Sequence, residues 1–392
     1  MLKNQADRIS SSNIVERLKS EKYKLAEKEK ELFELCKIRY PATSRIFPST
    51  NQNEKLKTLI QQGVDVNKKN KDGNNALHVL CLNNSSERLI DTIKLLIQLG
   101  INVNEKNNNG SNALHLLCCR NSSERLIDAI KLLIQLGIDV NEKNHKGFNA
   151  LHYLCLNNSS KKLIDAIKLL IQLGIDVNEK DNDGRNALHY LCCNNSSERL
   201  IDAIKLLIQL GIYVNEKNQN GSNALHYLCQ FNSSERLIDV IKLFIKHGLV
   251  VDRKDKDGDN ALHLLCWNNS SERIIDAITL LIQLRFDINE KNQNGSNALH
   301  YLCQYNSSER LIDAIKLLIQ FGIDVNEKDN DGRNALHLLC QYNSSERLID
   351  AIKLLIQLGI EVRGIDVQSI LRENETRNYQ DIIQLFDEAS LT

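Results

Sequence analysis

Proline is nearly absent from this chain, with Pro41 and Pro48 the only two in 392 residues. Past residue 48 there is therefore no proline to break a helix. Net charge is absent too: 50 basic and 50 acidic side chains cancel, so no global field recruits nucleic acid or an anionic membrane. Long apolar runs are missing, because stretches such as Ala-Ile-Lys-Leu-Leu-Ile-Gln-Leu-Gly-Ile are broken by Lys and Gln, well short of the roughly 18 residues that span a bilayer. The opening Met-Leu-Lys-Asn-Gln-Ala-Asp-Arg lacks the apolar stretch of a signal peptide. The expectation is a cytoplasmic protein, with the nucleus left open, that neither inserts into a membrane nor binds nucleic acid.

What the chain has instead is repetition. Asn-Ala-Leu-His stands at 75–78 and returns at 112–115, 149–152, 186–189, 223–226, 260–263, 297–300 and 334–337, always 37 residues on. A fixed period in this range marks a repeat architecture, in which one supersecondary unit stacks on its copies to bury a continuous core. The eleven cysteines follow suit. Eight of them, 81, 118, 155, 192, 229, 266, 303 and 340, recur with the period and read as reduced core residues.

In chain order, residues 1–49 read as a charged helix, 13–39, and a linker bracketed by the two prolines. The helix opens on a capping box of Asn13 with Glu16 and carries Leu18, Leu25 and Leu32 seven residues apart. A monomer is expected, with self-association through this thin stripe as the alternative. Residues 50–69 reproduce the second half of a repeat as an N-terminal half-unit. Eight full repeats occupy 70–365, and 366–392 form a degenerate pair of capping helices, Val367–Arg372 and Tyr379–Glu388.

Within a repeat, Asp72-Gly73 signals a turn and Asn75 a helix N-cap. Ala76, Leu77, Leu80 and Cys81 share one face of a short helix, leaving Val79 at its edge. Asn84-Ser-Ser-Glu87 caps a longer helix whose apolar face is Leu89, Ile90, Ile93, Leu96 and Ile97. Gly100 ends it in a left-handed conformation, and an extended Ile101-Asn-Val-Asn104 leads to the next turn.

Asp72-Gly73-Asn-Asn-Ala-Leu-His78 and Leu-Gly-Ile-Asp-Val-Asn141, recurring in register, resemble the turn and ending of ankyrin repeats. The resemblance covers about residues 50–390 and implies an all-α helical repeat solenoid with short β-turn or hairpin links. Asn-Ala stands where the family has Thr-Pro, and each unit is four residues longer than the usual 33 or so. Four residues are about one helical turn, which predicts that the second helix begins a turn early.

His78-x-x-Cys81 and its copies place two metal-ligand types on one helix face, but successive layers lie about 10 Å apart and ligand bonds are about 2 Å. No metal, cofactor or catalytic residue is expected, and the chain is not read as an enzyme. The resemblance instead gives His78, His115, His152, His189, His226, His263, His300 and His337 a structural role, each bonding a neighbouring turn.

The informative positions are those that vary while the frame repeats. Ser-Glu-Arg-Leu-Ile-Asp-Ala-Ile-Lys-Leu-Leu-Ile-Gln is identical in four copies and reads as scaffold. Variation gathers just after the turn glycine, with Phe148, Arg185 and Arg333 among the eight residues there, and at the end of the first helix, with Arg120, Phe231, Trp267, Tyr305 and Tyr342. In ankyrin proteins these two sets line the concave face that meets a partner, and aromatics with arginine have the composition of interface hot spots. The expected function is a non-catalytic scaffold for a protein partner, docking chiefly on repeats five to eight. The alternative is the substrate-recruiting adaptor of an enzyme complex such as a ubiquitin ligase. By the same resemblance, Asn67, Asn141, Asn178 and Asn326 fit the pattern that asparaginyl hydroxylases modify. Arg285 replaces the helix-ending glycine in one copy, which predicts a local weak point.

Overall fold

The computed structural model describes residues 11–37, 50–83, 88–120, 125–157, 162–193, 199–231, 235–268, 273–343, 347–363, 365–368, 370 and 379–390. The capping sequences at 84–87 and in most other copies, the proline linker, and 371–378 of the expected capping pair lie outside them. The described residues form helices and no strand. They divide into two compact units, Met1–Asp176 and Val177–Thr392.

The first unit holds α1 (Ser11–Lys37), α2 (Thr50–Gln61) and three helix pairs: α3 (Ala76–Asn83) with α4 (Leu89–Gln98), α5 (Ala113–Arg120) with α6 (Leu126–Gln135), and α7 (Ala150–Asn157) with α8 (Leu163–Gln172). The second holds five pairs: α9 (Ala187–Cys193) and α10 (Leu200–Gln209), α11 (Ala224–Phe231) and α12 (Leu237–Lys246), α13 (Ala261–Trp267) and α14 (Ile274–Gln283), α15 (Ala298–Tyr305) and α16 (Leu311–Gln320), α17 (Ala335–Tyr342) and α18 (Leu348–Gln357). Helix α19 (Tyr379–Ser390) follows and packs on α18. In each unit first helices stack on first helices and second on second.

Helices of seven to ten residues do not persist alone in water, so these exist because of the stack. The first helix has a neighbour on either side and its own second helix behind, and all of Ala76–Cys81 is buried, Val79 and His78 included. It is covered all round rather than on the one face the spacing predicts. The second helix buries Leu89, Thr92, Ile93, Leu95 and Leu96, while Ile90 and Ile97 are only half-buried, so its core face is rotated toward Thr92. That position is Ala129, Ala166, Ala203, Ala277, Ala314 and Ala351 in other copies, small enough for neighbouring helices to approach closely.

Two expectations are corrected. The extra four residues do not start the second helix early: where the connection is described throughout, Asn306–Arg310 forms a loop in which Asn306 Oδ1 accepts from the Ser308 backbone at 3.0 Å and its hydroxyl at 2.7 Å, and the helix begins at Leu311. The links, as expected, are short turns, with no strand among the described residues, and a backbone bond ties one turn to its neighbour, as from Asn108 N to Asp72 O (3.1 Å) or Gln293 N to Asp257 O (2.9 Å). The N-terminal unit is not a half. Leu32, Phe33, Leu35 and Cys36 of α1 are buried and α1 packs on α3, so Leu32-x-x-Leu35-Cys36 supplies the first helix that Leu77-x-x-Leu80-Cys81 supplies later. Leu32 is thereby consumed inside the fold, while Leu18 and Leu25 remain exposed.

At the other end Val367, Ile382 and Phe386 are buried and Gln380, Asp381, Gln384 and Asp387 face out. This apolar face turned inward under a polar outer surface suits the end of a stack. The helix-ending glycines have φ near 90°, as in Gly100 at 88°, and Arg285 adopts φ 64° in the same place.

Candidate protein-binding face

Each first helix opens on a reciprocal cap. Asn260 Oδ1 accepts from the backbone N of Leu262 (3.0 Å) and His263 (3.1 Å), and His263 Nδ1 accepts from Asn260 N at 3.3 Å. Nδ1 being an acceptor, the ring proton sits on Nε2 and is donated to a carbonyl of the next repeat. His78 reaches Ser111 O at 3.0 Å, His115 reaches Phe148 O at 3.0 Å, and His189, His263 and His300 reach Ser222, Ser296 and Arg333. Burial lowers the His78, His300 and His337 pKa values and takes those of His115, His189, His226 and His263 down to about 4.

The link asparagines form a second clamp. Asn67 Nδ2 donates to Gly100 O (3.0 Å) and its Oδ1 accepts from Asn102 N (2.6 Å). Asn141 holds Gly174 and Asp176, Asn178 holds Gly211 and Tyr213, and Asn326 holds Gly359 and Glu361 in the same way. All four candidate hydroxylation residues thus have their amides engaged by the following repeat.

The periodic cysteines and Cys36 are buried, and burial pushes their thiols up, to about 12 for Cys36 and Cys340. They stay protonated and poorly nucleophilic at neutral pH. Cys119 and Cys193 are half-buried, and burial takes the Cys193 thiol up to about 12. Among the described residues no group of three or more His, Cys, Asp or Glu is placed to hold a metal ion.

The candidate binding residues separate between the two units. Arg120, exposed, and Phe148, half-buried, belong to the first; Phe148 leans on Tyr153 with ring centroids 5.3 Å apart. The other six belong to the second. Phe231 (43% exposed), Tyr305 (41%) and Tyr342 (48%) stand at the ends of α11, α15 and α17. Trp267, half-buried at the end of α13, meets Tyr305 edge to face at 6.0 Å, and Tyr301 backs Tyr305 at 5.7 Å. Such contacts hold the rings in place, which lowers the entropy lost when a partner covers them.

The two arginines are less available. Arg333 is clamped by Asp329 and Asp331 of its own turn, each at 2.8 Å, and Arg185 lies over the Tyr227 ring at 5.7 Å and near Asp183 at 3.5 Å. Other residues after the turn glycine are buried ties between repeats: Asn107 Nδ2 donates to Asn74 Oδ1, and Asn292 Nδ2 to Asp259 Oδ1, both at 2.9 Å. Phe231, Tyr305 and Tyr342 are the exposed members of the set; the turn residues are mostly cement.

Tyrosine after the histidine escapes sequence reasoning. Tyr301 OH donates to Asp259 Oδ2 at 2.8 Å, Tyr190 OH to Asp181, and Tyr153 and Tyr227 OH accept from Asn144 (2.9 Å) and Asn218 (2.8 Å). Burial raises the Asp259 pKa. The signal is present, since Tyr alternates there with Leu and Val, but it reads as packing until the turn is seen beside it.

Paired helices on a constant period, each layer closed by a left-handed residue and tied to the next turn, define a tandem helical repeat protein. A family model described as ankyrin repeats (3 copies) matches residues 47–144, 116–218, 197–275 and 272–366, and the chain belongs to the ankyrin repeat family. Among solved structures, the human ASB11 ankyrin repeat domain is similar, with a TM-score of 0.49 and 18% identity over 63% of this chain and 97% of that one. No curated protein matches the chain. Ankyrin repeats generally serve protein–protein interaction and are typically non-catalytic. No described helix is long and apolar enough to cross a membrane.

Proposed function

We propose that this chain is a non-catalytic scaffold that docks a protein partner on the ends of the first helices of its second unit, with Phe231, Trp267, Tyr305 and Tyr342 as the contact core. The observation that carries the reading is the exposure of three large aromatic rings in corresponding repeat positions, with Phe231 braced by Tyr227 and Tyr305 by Trp267 and Tyr301. Side chains of this size and rigidity dominate interface energies. In this reading the second-helix face, nearly the same in every copy, is scaffold.

The test is affinity purification from the native cell with the intact chain and with the four aromatics changed to Ala. Loss of the recovered partner is expected, with helicity unchanged by circular dichroism; full recovery by the variant would refute the proposal. Recovery of ligase subunits, lost when Leu18 and Leu25 on the exposed part of α1 are changed to Glu, would move the reading to an adaptor.

A further inference from the structure

Within each unit a ladder of ion pairs joins neighbouring repeats. In the second unit Lys180 pairs with Glu216 at 2.5 Å, Lys254 with Glu290 and Lys291 with Glu327, each 36 residues on, while Lys328 at the end of the stack pairs with Glu361, out of that register, at 3.0 Å. Lys106 with Glu142 at 2.7 Å shows the same step in the first unit. The remaining step of the second unit is Lys217, and the residue in the glutamate position is Arg253.

Two cations therefore stand where every other described step of this unit has a cation and an anion. The placement is the ladder's own: the Lys217 charge acts on the His226 ring, which faces the Arg253 carbonyl, as Lys69 and the Glu105 carbonyl stand about His78. Lys217 is half-buried and Arg253 exposed. Neither forms an ion pair among the described residues, although Asp252 and Asp255 lie within two residues of Arg253.

We propose that Lys217 and Arg253 receive a carboxylate from an acidic segment of a bound protein, filling the place that a glutamate of the next repeat fills elsewhere in the ladder. This rests on the protein-docking reading above and specifies the partner's chemistry. The guanidinium fork matches a carboxylate bidentately and Lys217 adds a point charge, so a single acidic side chain satisfies both. Phe231 stands at the far end of α11, whose eight residues span about 12 Å. An extended segment covers that length in about four residues. The favoured partner segment thus carries an acidic residue about four positions from an aromatic or aliphatic one.

The experiment is fluorescence anisotropy with the full chain at low salt, where surface charges are least screened. The probes are a fluorescein-labelled peptide with two glutamates and, four residues on, a tryptophan, and its counterpart with glutamine in both acidic positions. The glutamate peptide should bind about fivefold tighter, as one well-placed ion pair of about 1 kcal/mol allows. Arg253→Glu, which gives Lys217 an internal partner, should abolish that preference, and Lys242→Gln on the exposed face of α12 should keep it.

Equal binding of the two peptides, binding of neither, or a preference that survives Arg253→Glu would each overturn the proposal. The aromatic-to-Ala variant separates the two readings. If it loses the cellular partner while Arg253→Glu retains that partner and shows equal peptide affinities, the docking face stands and the carboxylate site falls.

Discussion

His263 donates its Nε2 proton to the carbonyl oxygen of Ser296, 3.1 Å away and 33 residues further along the chain. With Nδ1 accepting from Asn260 N, the ring is used on both sides in its neutral form. Protonating Nδ1 would break the cap bond and place a charge in a buried interface.

That arrangement predicts acid sensitivity. Burial holds the pKa values of His115, His189, His226 and His263 at about 4, against 6.5 for an ordinary histidine. The unfolded chain binds these protons first, so the stability from neutral burial is whole above pH 6.5 and is lost as pH falls toward 4. Each ring contributes up to about 1.4 kcal/mol per pH unit in that window. Urea midpoints measured from pH 7.5 to 4.5 should fall steadily below 6.5; a flat profile would contradict the tautomer assignment.

Arg285 is the one described non-glycine residue with positive φ, at 64°. Arg285→Gly should raise stability by up to about 1 kcal/mol, the relief of left-handed strain less the entropy glycine adds to the unfolded chain. Amide exchange in 284–289 should be faster than in the 321–326 link of the wild type and should slow in the variant.

The asparagine clamp is predicted to hold neighbouring repeats together. Asn326→Ala removes both the donor to Gly359 O at 3.1 Å and the acceptor for Glu361 N at 2.6 Å, and should cost about 1–2 kcal/mol in chemical unfolding. Asn326→Asp keeps an acceptor and sets a carboxylate against the carbonyl, so it should not restore the wild-type midpoint. Peptide mass spectra of protein from its native cell will show whether Asn67, Asn141, Asn178 or Asn326 carries an added oxygen.

Thiol chemistry checks the core. Of eleven cysteines, only Cys119 and Cys193 are not fully buried. Brief alkylation of the native protein should label Cys119 and Cys193 at most, and all eleven after denaturation. Labelling of Cys81 or Cys118 in the native state would mean that the first helices are not packed as described.

Much of this fold was legible because it repeats: a turn, a cap, a short helix and a left-handed stop recur in register, and each is a local signal. What escaped had non-local causes. Leu32-x-x-Leu35-Cys36 carries the first-helix pattern, yet it lies inside a longer charged helix and outside the 37-residue spacing, so only its packing on α3 reveals a complete first layer. Asn306–Arg310 reads as a helical cap, but its side chains close a loop instead, since local hydrogen bonds from Asn and Ser compete with the helix.

The candidate site divides on the same ground. Composition alone marked Phe231, Trp267, Tyr305 and Tyr342, because large aromatics stand out wherever the frame varies. The sequence by itself determined the repeat, its family and the variable positions, all consequences of periodicity and local backbone preference. Only the tertiary structure decided which variable residues are exposed. Asn74 and Asp259 face a neighbouring turn and are spent on it, Arg333 is neutralised by Asp329 and Asp331, and Phe231, Tyr305 and Tyr342, a helix length away, stay exposed. The physical reason is that a hydrogen bond or ion pair across repeats depends on which residue lies opposite, and the stacking decides that.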